Sequence, residues 1–301
     1  LIGCTASGKS RVGLELTQRL GTEIISVDSM KIYRRMDIGT AKPPAEVRQG
    51  IPHHLIDVVE PSEAFSVARY LELADTAIRD ISSRGLPVLA VGGTMLYVRG
   101  LTAGVFEGPG ADPEFRCAIR NRAGQEGTAA LHVELAKIDP VSAERIHQND
   151  LRRIERALEV FHLTGTPISR LQTQWAGNEG PYDCRLVALR RPKEEENRRI
   201  NSRVKRMIDA GLVEEIRGLL AEPAGIGPQA AQAVGYAEII AHLRGEITFD
   251  EAVEKIKINS RRLAKSQRTW MKRLPDIQWV DVADDDRPDQ VAERVLAALG
   301  L

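Results

Sequence analysis

The sequence predicts an α/β protein, a parallel sheet flanked by helices and gathered around a P-loop, with a mainly helical insertion. Three observations carry this prediction. GCTASGKS (3–10) fits G-x-x-x-x-G-K-S/T, and helical spacing follows at once with Val12, Leu16 and Leu20 on one face. Over the first hundred residues short apolar runs alternate with helix-period segments, which implies parallel strands joined by crossovers. From Pro113 to about Leu171 only helical spacing is visible, and a strand pattern returns after it.

In chain order, EIISVD (23–28), LIDVV (55–59) and LPVLAVGG (86–93) read as buried strands bounded by turn residues. Ser66 is placed to cap a helix between the last two. Its apolar positions Leu71, Ala74, Ile78 and Ile81 repeat at i, i+3, i+7 and i+10, and Gly85 with Pro87 ends it. EGPGADP (107–113) is a breaker cluster, and QTQWAGNEGPYD (172–183) has loop composition. RLVALRR (185–191) restores a strand, long helices follow, and IQWVDV (277–282) adds a last strand before a short C-terminal helix. The division is then a core of 1–110 with 184–301 and an insertion at 111–183. Only two residues precede Gly3, so a few are expected ahead of Leu1, since a P-loop follows a full strand.

At 301 residues the chain has room for one large domain or two ordinary ones, and 43% apolar residues suffice for a sizeable core. Lys and Arg number 42, as do Asp and Glu, so a bulk polycation is excluded and any nucleic-acid footprint must be a local patch. Cys4, Cys117 and Cys184 form no C-x-x-C pair, which fits reduced thiols in a cytoplasmic enzyme. No apolar run approaches membrane-spanning length, and no membrane partner is expected.

A chance P-loop match in a chain this long is roughly a one-in-a-hundred event. The backbone of Gly3, Thr5, Ala6, Ser7 and Gly8 and the helix N-terminus would cradle a diphosphate. Lys9 adds charge, and the Ser10 hydroxyl is placed to ligate Mg²⁺. The plainer reading is a glycine turn with a surface lysine. Asp28 ends a strand at the carboxyl edge of the sheet, where ligands of open α/β sheets bind. It is a candidate proton acceptor or Mg²⁺ partner, or a simple cap of the turn at Ser29. Thr94, in GGT (92–94), is a hydroxyl donor to phosphate, a helix N-cap, or both. In NRRINSRVKRMIDAG (197–211), Ile200, Val204, Met207 and Ile208 point inward while Arg199, Arg203 and Arg206 share a stripe. Most such stripes are solvated, but one arginine could reach a leaving diphosphate.

Two basic sets remain. NDLRRIERALEV (149–160) offers Arg152, Arg153 and Arg156. The segment 255–273 holds eight cations and no acid, with Arg261, Lys265, Arg268 and Lys272 on one helical face and Trp270 beside them. Such a ridge suits a phosphate backbone. His53 and His54 have no third ligand at metal spacing, so a structural role is expected.

The composite resembles the tRNA dimethylallyltransferases (tRNA isopentenyltransferases) almost end to end. The phrases are GCTASGKS, IISVDSMKIYRRMDIGTAKP, PHHLIDVVEP, VGGTMLYVRGL, HQNDLRRIERALEVFHLTG, AQAVGYAEI and RRLAKSQRTW, in that order. The resemblance implies a P-loop NTPase-like core and transfer of a dimethylallyl group from dimethylallyl diphosphate. The acceptor is the exocyclic amine of the adenosine 3′ of the anticodon in tRNA, and pyrophosphate leaves with Mg²⁺ as cofactor. It implies catalytic roles for Lys9, Asp28, Thr94 and Arg203, with Arg199 as second choice to Arg203. It carries tRNA contacts onto Asp28, Ser29, Met30, Lys31, Thr94, Arg116, Arg152, Arg153, Ile154, Glu155 and Arg156. Further contacts fall on Gln232, Val234, Gly235, Tyr236, Lys265, Gln267, Arg268 and Trp270, and the insertion would grip the anticodon stem-loop. A cytoplasmic monomer is expected. Cys4 replaces the usual proline, Lys31 stands where glutamine is frequent, Ser266 where a base is common and Met271 where an aromatic is.

Other readings stand beside this one. A P-loop small-molecule kinase would transfer phosphoryl from ATP, and an adenylate isopentenyltransferase would prenylate free nucleotides. A non-enzymatic RNA-binding switch would dispense with Asp28 and Thr94. The helical insertion and the basic helix exceed what the first two need.

Overall fold

The computed structural model describes residues 1–106, 108–172 and 180–301. Contacts divide the chain into two compact units, Leu1–Leu101 with Asp183–Leu301, and Thr102–Tyr182.

In the first unit β1 (Ile2–Gly3) enters the P-loop, which leads into α1 (Lys9–Leu20). Then come β2 (Ile24–Val27), α2 (Ala45–Gly50), β3 (His53–His54), α3 (Val67–Ser83), β4 (Leu89–Gly92) and α4 (Met95–Ala103). The second unit is helical among its described residues, with α5 (Pro113–Glu126), α6 (Thr128–Ile138), α7 (Pro140–Arg145), α8 (Leu151–Thr164) and α9 (Ile168–Leu171). Back in the first unit follow β5 (Val187–Arg190), α10 (Lys193–Asp209), α11 (Leu212–Ala221), α12 (Tyr236–Leu243), α13 (Phe249–Met271), β6 (Gln278–Asp281) and α14 (Pro288–Leu299).

The six strands run parallel in the order β3-β2-β4-β1-β5-β6. Val27 pairs with Gly92, and Ile2 also pairs with Gly92. The residues that follow these strands, Asp28, Gly93 and Cys4, therefore emerge along one edge. Val12 and Leu16 of α1 and Val291, Ala292 and Val295 of α14 pack on Ile24, Leu89, Val91, Val187 and Leu189, which holds α1 against the sheet. The helical unit has its own core, including Ile119, Leu131, Leu135, Ile154, Leu158 and Ile168.

Three local expectations change. The strand expected at 55–59 is displaced to His53–His54. Leu55 and Asp57 sit at positive φ, which breaks an extended run, and only Val59 bridges back, to Tyr33. Ser66 does cap α3, accepting from Arg69 N, and Ala74 and Ile81 are buried as expected, but Tyr70 and Ala77 complete the buried face in place of the half-buried Leu71 and Ile78. The large Tyr70 ring, with its hydroxyl donating to Ser26 O at 3.0 Å, turns the helix toward itself. Most of the segment at 172–183 expected to be loop lies outside the described residues.

Candidate active site

The P-loop folds as its sequence requires. Ala6 at φ 63° and Gly8 at φ 98° take left-handed backbone, which glycine adopts without cost at the helix start. Ser7 N donates to Cys4 O at 3.2 Å and closes the loop. The first amides of α1 lack intrahelical acceptors and form an anion cradle at the positive end of the helix. Lys9 Nζ donates to Cys4 O at 3.1 Å. Two arginines buttress the loop from behind. Arg191 Nε donates to Ser7 O at 2.9 Å, and Arg199 Nε to Ala6 O at 3.1 Å.

Asp28 takes the capping role. Its Oδ1 accepts from Met30 N at 2.9 Å and Lys31 N at 3.3 Å, so it caps its own turn. Oδ2 has no hydrogen-bond partner among the described residues. Thr94 starts α4 with its carbonyl, which accepts from Tyr97 N and Val98 N. Its hydroxyl does not cap the helix: it accepts from Ser29 N at 2.9 Å and lies 3.3 Å from Ser29 Oγ. Thr94 thus fixes the Asp28 turn from the neighbouring strand.

Electrostatics mark the place as an anion site. Burial pushes the Lys9 ammonium down to about 8, reinforced by Lys31 and Arg203 and opposed by Asp28. Burial likewise lowers Lys31 and Arg203, with Asp28 pulling each back up. Three cations surround one carboxylate. Of the stripe on α10, Arg203 is the member deep in this cluster, Arg199 holds the loop, and Arg206 is exposed.

Lys9, Ser10, Asp28 and Lys31 line a cavity of about 210 Å³. Its remaining wall is largely apolar, with Leu14, Ile24, Pro43, Val47, Ile56 and Val91. Lys42 braces this wall, donating to Tyr33 O at 2.8 Å and to Asp57 Oδ1 at 2.6 Å and pairing with Asp37. Glu215 braces the same loop from α11, accepting from Ile38 N at 2.8 Å and Tyr236 Oη at 2.5 Å. Neither residue stood out in the sequence. Lys42 lies in a turn without periodicity, and Glu215 looks like any helix-surface acid. His53 and His54 are structural, bonded to Ile51 O and Glu23 at 2.6 Å each.

For Mg²⁺ the donors beside the cradle are one hydroxyl, Ser10, and one carboxylate, Asp28. Among the described residues no cluster of three or more His, Cys, Asp or Glu could hold a metal ion. That set suits an ion shared with phosphate oxygens and water.

The expected RNA contacts divide. Ser29, Met30 and Lys31 are half-buried at the site, Gln232 is exposed, and Val234 and Trp270 are half-buried. Arg152 and Arg153 are exposed on α8, Arg153 lying 3.5 Å from Asp150. Several others are corrected. Ile154 and Tyr236 are fully buried and Gly235 is buried, so they offer no side-chain surface to RNA. Buried Glu155 pairs with Arg120, and buried Glu159 binds Arg116 and Arg156 at 2.7 Å each, which commits both arginines to the helical core.

The basic ridge is rotated. Arg268 binds buried Glu196 at 2.6 Å, Arg261 donates to Asn201 at 2.6 Å, and Lys272 lies past the end of α13. Gln267 is buried against backbone. The exposed cationic stripe is Lys255, Arg262, Lys265, Lys272 and Arg273, interleaved with exposed Ile258 and Leu263.

Known proteins resemble this chain in sequence and fold. The chain is 49% identical to a tRNA dimethylallyltransferase of Geobacter metallireducens over 279 residues, 93% of this chain and 90% of that one. It is 46% identical over 293 residues to the enzyme of that name from Anaeromyxobacter dehalogenans, 97% of each chain. The full-length tRNA isopentenylpyrophosphate transferase of Bacillus halodurans superposes with a TM-score of 0.71 at 39% identity, covering 99% of this chain and 95% of that one. A eukaryotic dimethylallyltransferase acting on tRNA superposes at 0.80 with 28% identity, covering 98% and 76%. The family model described as IPP transferase matches residues 31–274, and the chain belongs to that family.

Proposed function

We propose that this chain transfers a dimethylallyl group from dimethylallyl diphosphate to the exocyclic amine of the adenosine 3′ of the anticodon in tRNA. The observation that carries the reading is a cavity in which Lys9 and Ser10 of the P-loop, Lys31 and the turn-capping Asp28 adjoin a largely apolar wall, with Arg203 close enough to Lys9 to act on its charge. The cradle suits a diphosphate, and the wall suits a short hydrocarbon chain.

In the reaction the amine nitrogen bonds to the donor carbon that bears the diphosphate as that carbon's bond to the diphosphate oxygen breaks. Asp28 takes the amine proton, help worth about 10²–10⁴-fold. Lys9, Arg203 and the loop amides receive the charge that builds on the leaving pyrophosphate, and Thr94 holds the Asp28 turn in place. Mg²⁺, held by Ser10 and the diphosphate, would add further neutralisation of that charge. Adenine in a folded anticodon loop is stacked, so it must be drawn out to reach Asp28. The stripe on α13 and Arg152 and Arg153 on the helical unit are the surfaces for the RNA backbone. Among the described residues no helix is long and apolar enough to cross a membrane, and a cytoplasmic monomer fits this role.

The test is mass spectrometry of unmodified tRNA after incubation with the protein, Mg²⁺ and dimethylallyl diphosphate. One added five-carbon unit beside the anticodon supports the reading. A unit added to free AMP instead, or ATP consumed with no prenylation, overturns it.

A further inference from the structure

Gln267 lies on the inner face of α13 between Ala264 and Met271, both fully buried, and is itself 9% exposed. Its Oε1 accepts from Thr5 N at 2.8 Å, and its Nε2 donates to Gly93 O at 2.9 Å. Thr5 belongs to the P-loop, and Gly93 immediately precedes Thr94. One amide therefore bridges the loop that cradles the diphosphate and the loop that carries Thr94. The two partners are of opposite kind, an N–H and a carbonyl, so they set the amide's orientation unambiguously. A carboxylate could serve only one of them. The contact also explains the glycine at 93, where a Cβ would lie 2.7 Å from Nε2 and 2.9 Å from Gly3 O.

The bridge is held on both flanks. Cys4 Sγ donates to Ala264 O at 3.3 Å, and Arg268 is anchored on buried Glu196 at 2.6 Å. From Gly93 the contact continues to the proton acceptor. Thr94 Oγ1 accepts from Ser29 N, and Ser29 adjoins Asp28. Small misplacements between a gripped substrate and a reacting group are costly, so the spacing of the two loops matters to the reaction.

We propose that Gln267 is a positioning residue that sets the P-loop against the Thr94–Asp28 pair, and that it does not contact tRNA. This rests on the dimethylallyl-transfer reading above. The consequence is a division of labour across one helix. The inner face of α13 aligns the donor site, while the exposed Arg262 and Lys265 on its outer face are open to RNA.

The test compares wild type with Gln267→Met, which keeps the length and loses both bonds, and Gln267→Glu, which keeps the acceptor only. Three quantities are read: tRNA affinity without donor, the KM for dimethylallyl diphosphate with kcat, and affinity for inorganic pyrophosphate. The expected result is tRNA affinity within twofold of wild type. Donor kcat/KM should fall roughly tenfold to a hundredfold, the span set by leaving a buried amide unpaired. Pyrophosphate should bind more weakly, and most weakly to Gln267→Glu, whose charge opposes it. A tenfold loss of tRNA affinity with donor parameters intact would make Gln267 an RNA contact and overturn the proposal. Folded variants with all three quantities unchanged would overturn it too. If Gln267→Met does not fold, Gln267→Glu carries the same comparison. Absence of prenyl transfer in wild type itself would instead sink the underlying reading.

Discussion

Raising the pH from 7 to 10 is a perturbation whose effect can be worked from one residue. Burial, with Lys31 and Arg203 nearby, brings the Lys9 ammonium from its ordinary 10.5 down to about 8. Free Lys9 is then about 90% charged at pH 7 and about 1% charged at pH 10. A bound diphosphate favours the charged form. Below pH 8 the site is already charged and donor affinity is complete. Above it, each binding event must take up a proton, and affinity falls about tenfold per pH unit. The expected loss between pH 7 and pH 10 is about a hundredfold. Titration calorimetry with dimethylallyl diphosphate, without tRNA, reads this directly. Two buffers of different ionisation enthalpy would count the protons taken up at pH 9. In Lys9→Arg the guanidinium stays charged, so the slope should drop by about one, any remainder belonging to Lys31, which burial also lowers. Wild-type affinity that stays flat from pH 7 to 9.5, with no proton uptake, would refute the assignment of Lys9 to the diphosphate.

Asp28→Asn keeps the Oδ1 acceptor for Met30 N and Lys31 N, so the turn should survive. Prenyl transfer should drop by about 10²–10⁴-fold at nearly unchanged tRNA affinity, and full turnover in this variant would remove Asp28 from the mechanism. Arg262→Glu with Lys265→Glu should weaken tRNA binding and reduce its salt slope by about 1.4–1.8, two phosphate contacts' worth. Arg261→Ala should leave that slope alone, because Arg261 is engaged with Asn201, and a filter-binding series at several salt concentrations separates the two outcomes. In the helical unit, burial pushes the Glu159 carboxyl up, but bonds from Arg116, Arg156 and the Asp112 amide outweigh it and bring it to about 2. That contribution is complete above pH 4.5 and is lost as pH falls through about 2. Glu159→Gln should therefore cost stability at pH 7, by about 3 kcal/mol for a broken buried pair. Equal melting temperatures for variant and wild type at pH 7 would show that the network is idle.

The parts legible in the sequence are those whose physics is local. The P-loop pattern encodes its own backbone, so the cradle and α1 follow from eight residues. Strands β2, β4, β5 and β6 announce themselves as apolar runs ending in turn residues. The displaced strand at His53–His54 shows the limit of that signal. LIDVV is apolar enough for a strand, but Asp57 is drawn to Lys42 and Arg48, and positive φ at Leu55 and Asp57 follows a tertiary demand. The same limit explains the basic positions. Periodicity places Arg261, Lys265 and Arg268 on one face of α13, yet it does not reveal that Glu196 and Asn201 of α10 wait beneath two of them. Nor does a surface-like IER pattern on α8 disclose that Arg156 closes back onto Glu159 at the next turn. Long cations are assigned by partners distant in sequence, so their roles need coordinates.

The arrangement of charge also bears on which bond the site is built to break. A P-loop by itself serves phosphoryl transfer as readily as displacement at carbon. In phosphoryl transfer the charged group is divided, and nucleotide recognition requires polar partners for a base and a ribose beside the phosphates. Here the wall next to Lys9 and Ser10 is largely apolar, with Leu14, Ile24, Pro43, Val47, Ile56 and Val91 able to enclose hydrocarbon, and of its polar members Lys42 is engaged with Tyr33 O and Asp57 and His53 with Ile51 O. Lys9, Lys31 and Arg203 gather on one carboxylate. In displacement at carbon the whole diphosphate departs as one ion, and its negative charge grows as the carbon–oxygen bond stretches. Cations fixed around that end then stabilise the transition state more than the bound donor, which is the condition for raising the rate rather than only tightening binding. The apolar wall and the one-ended cluster of cations, taken together, favour transfer of a short alkyl chain over transfer of phosphate.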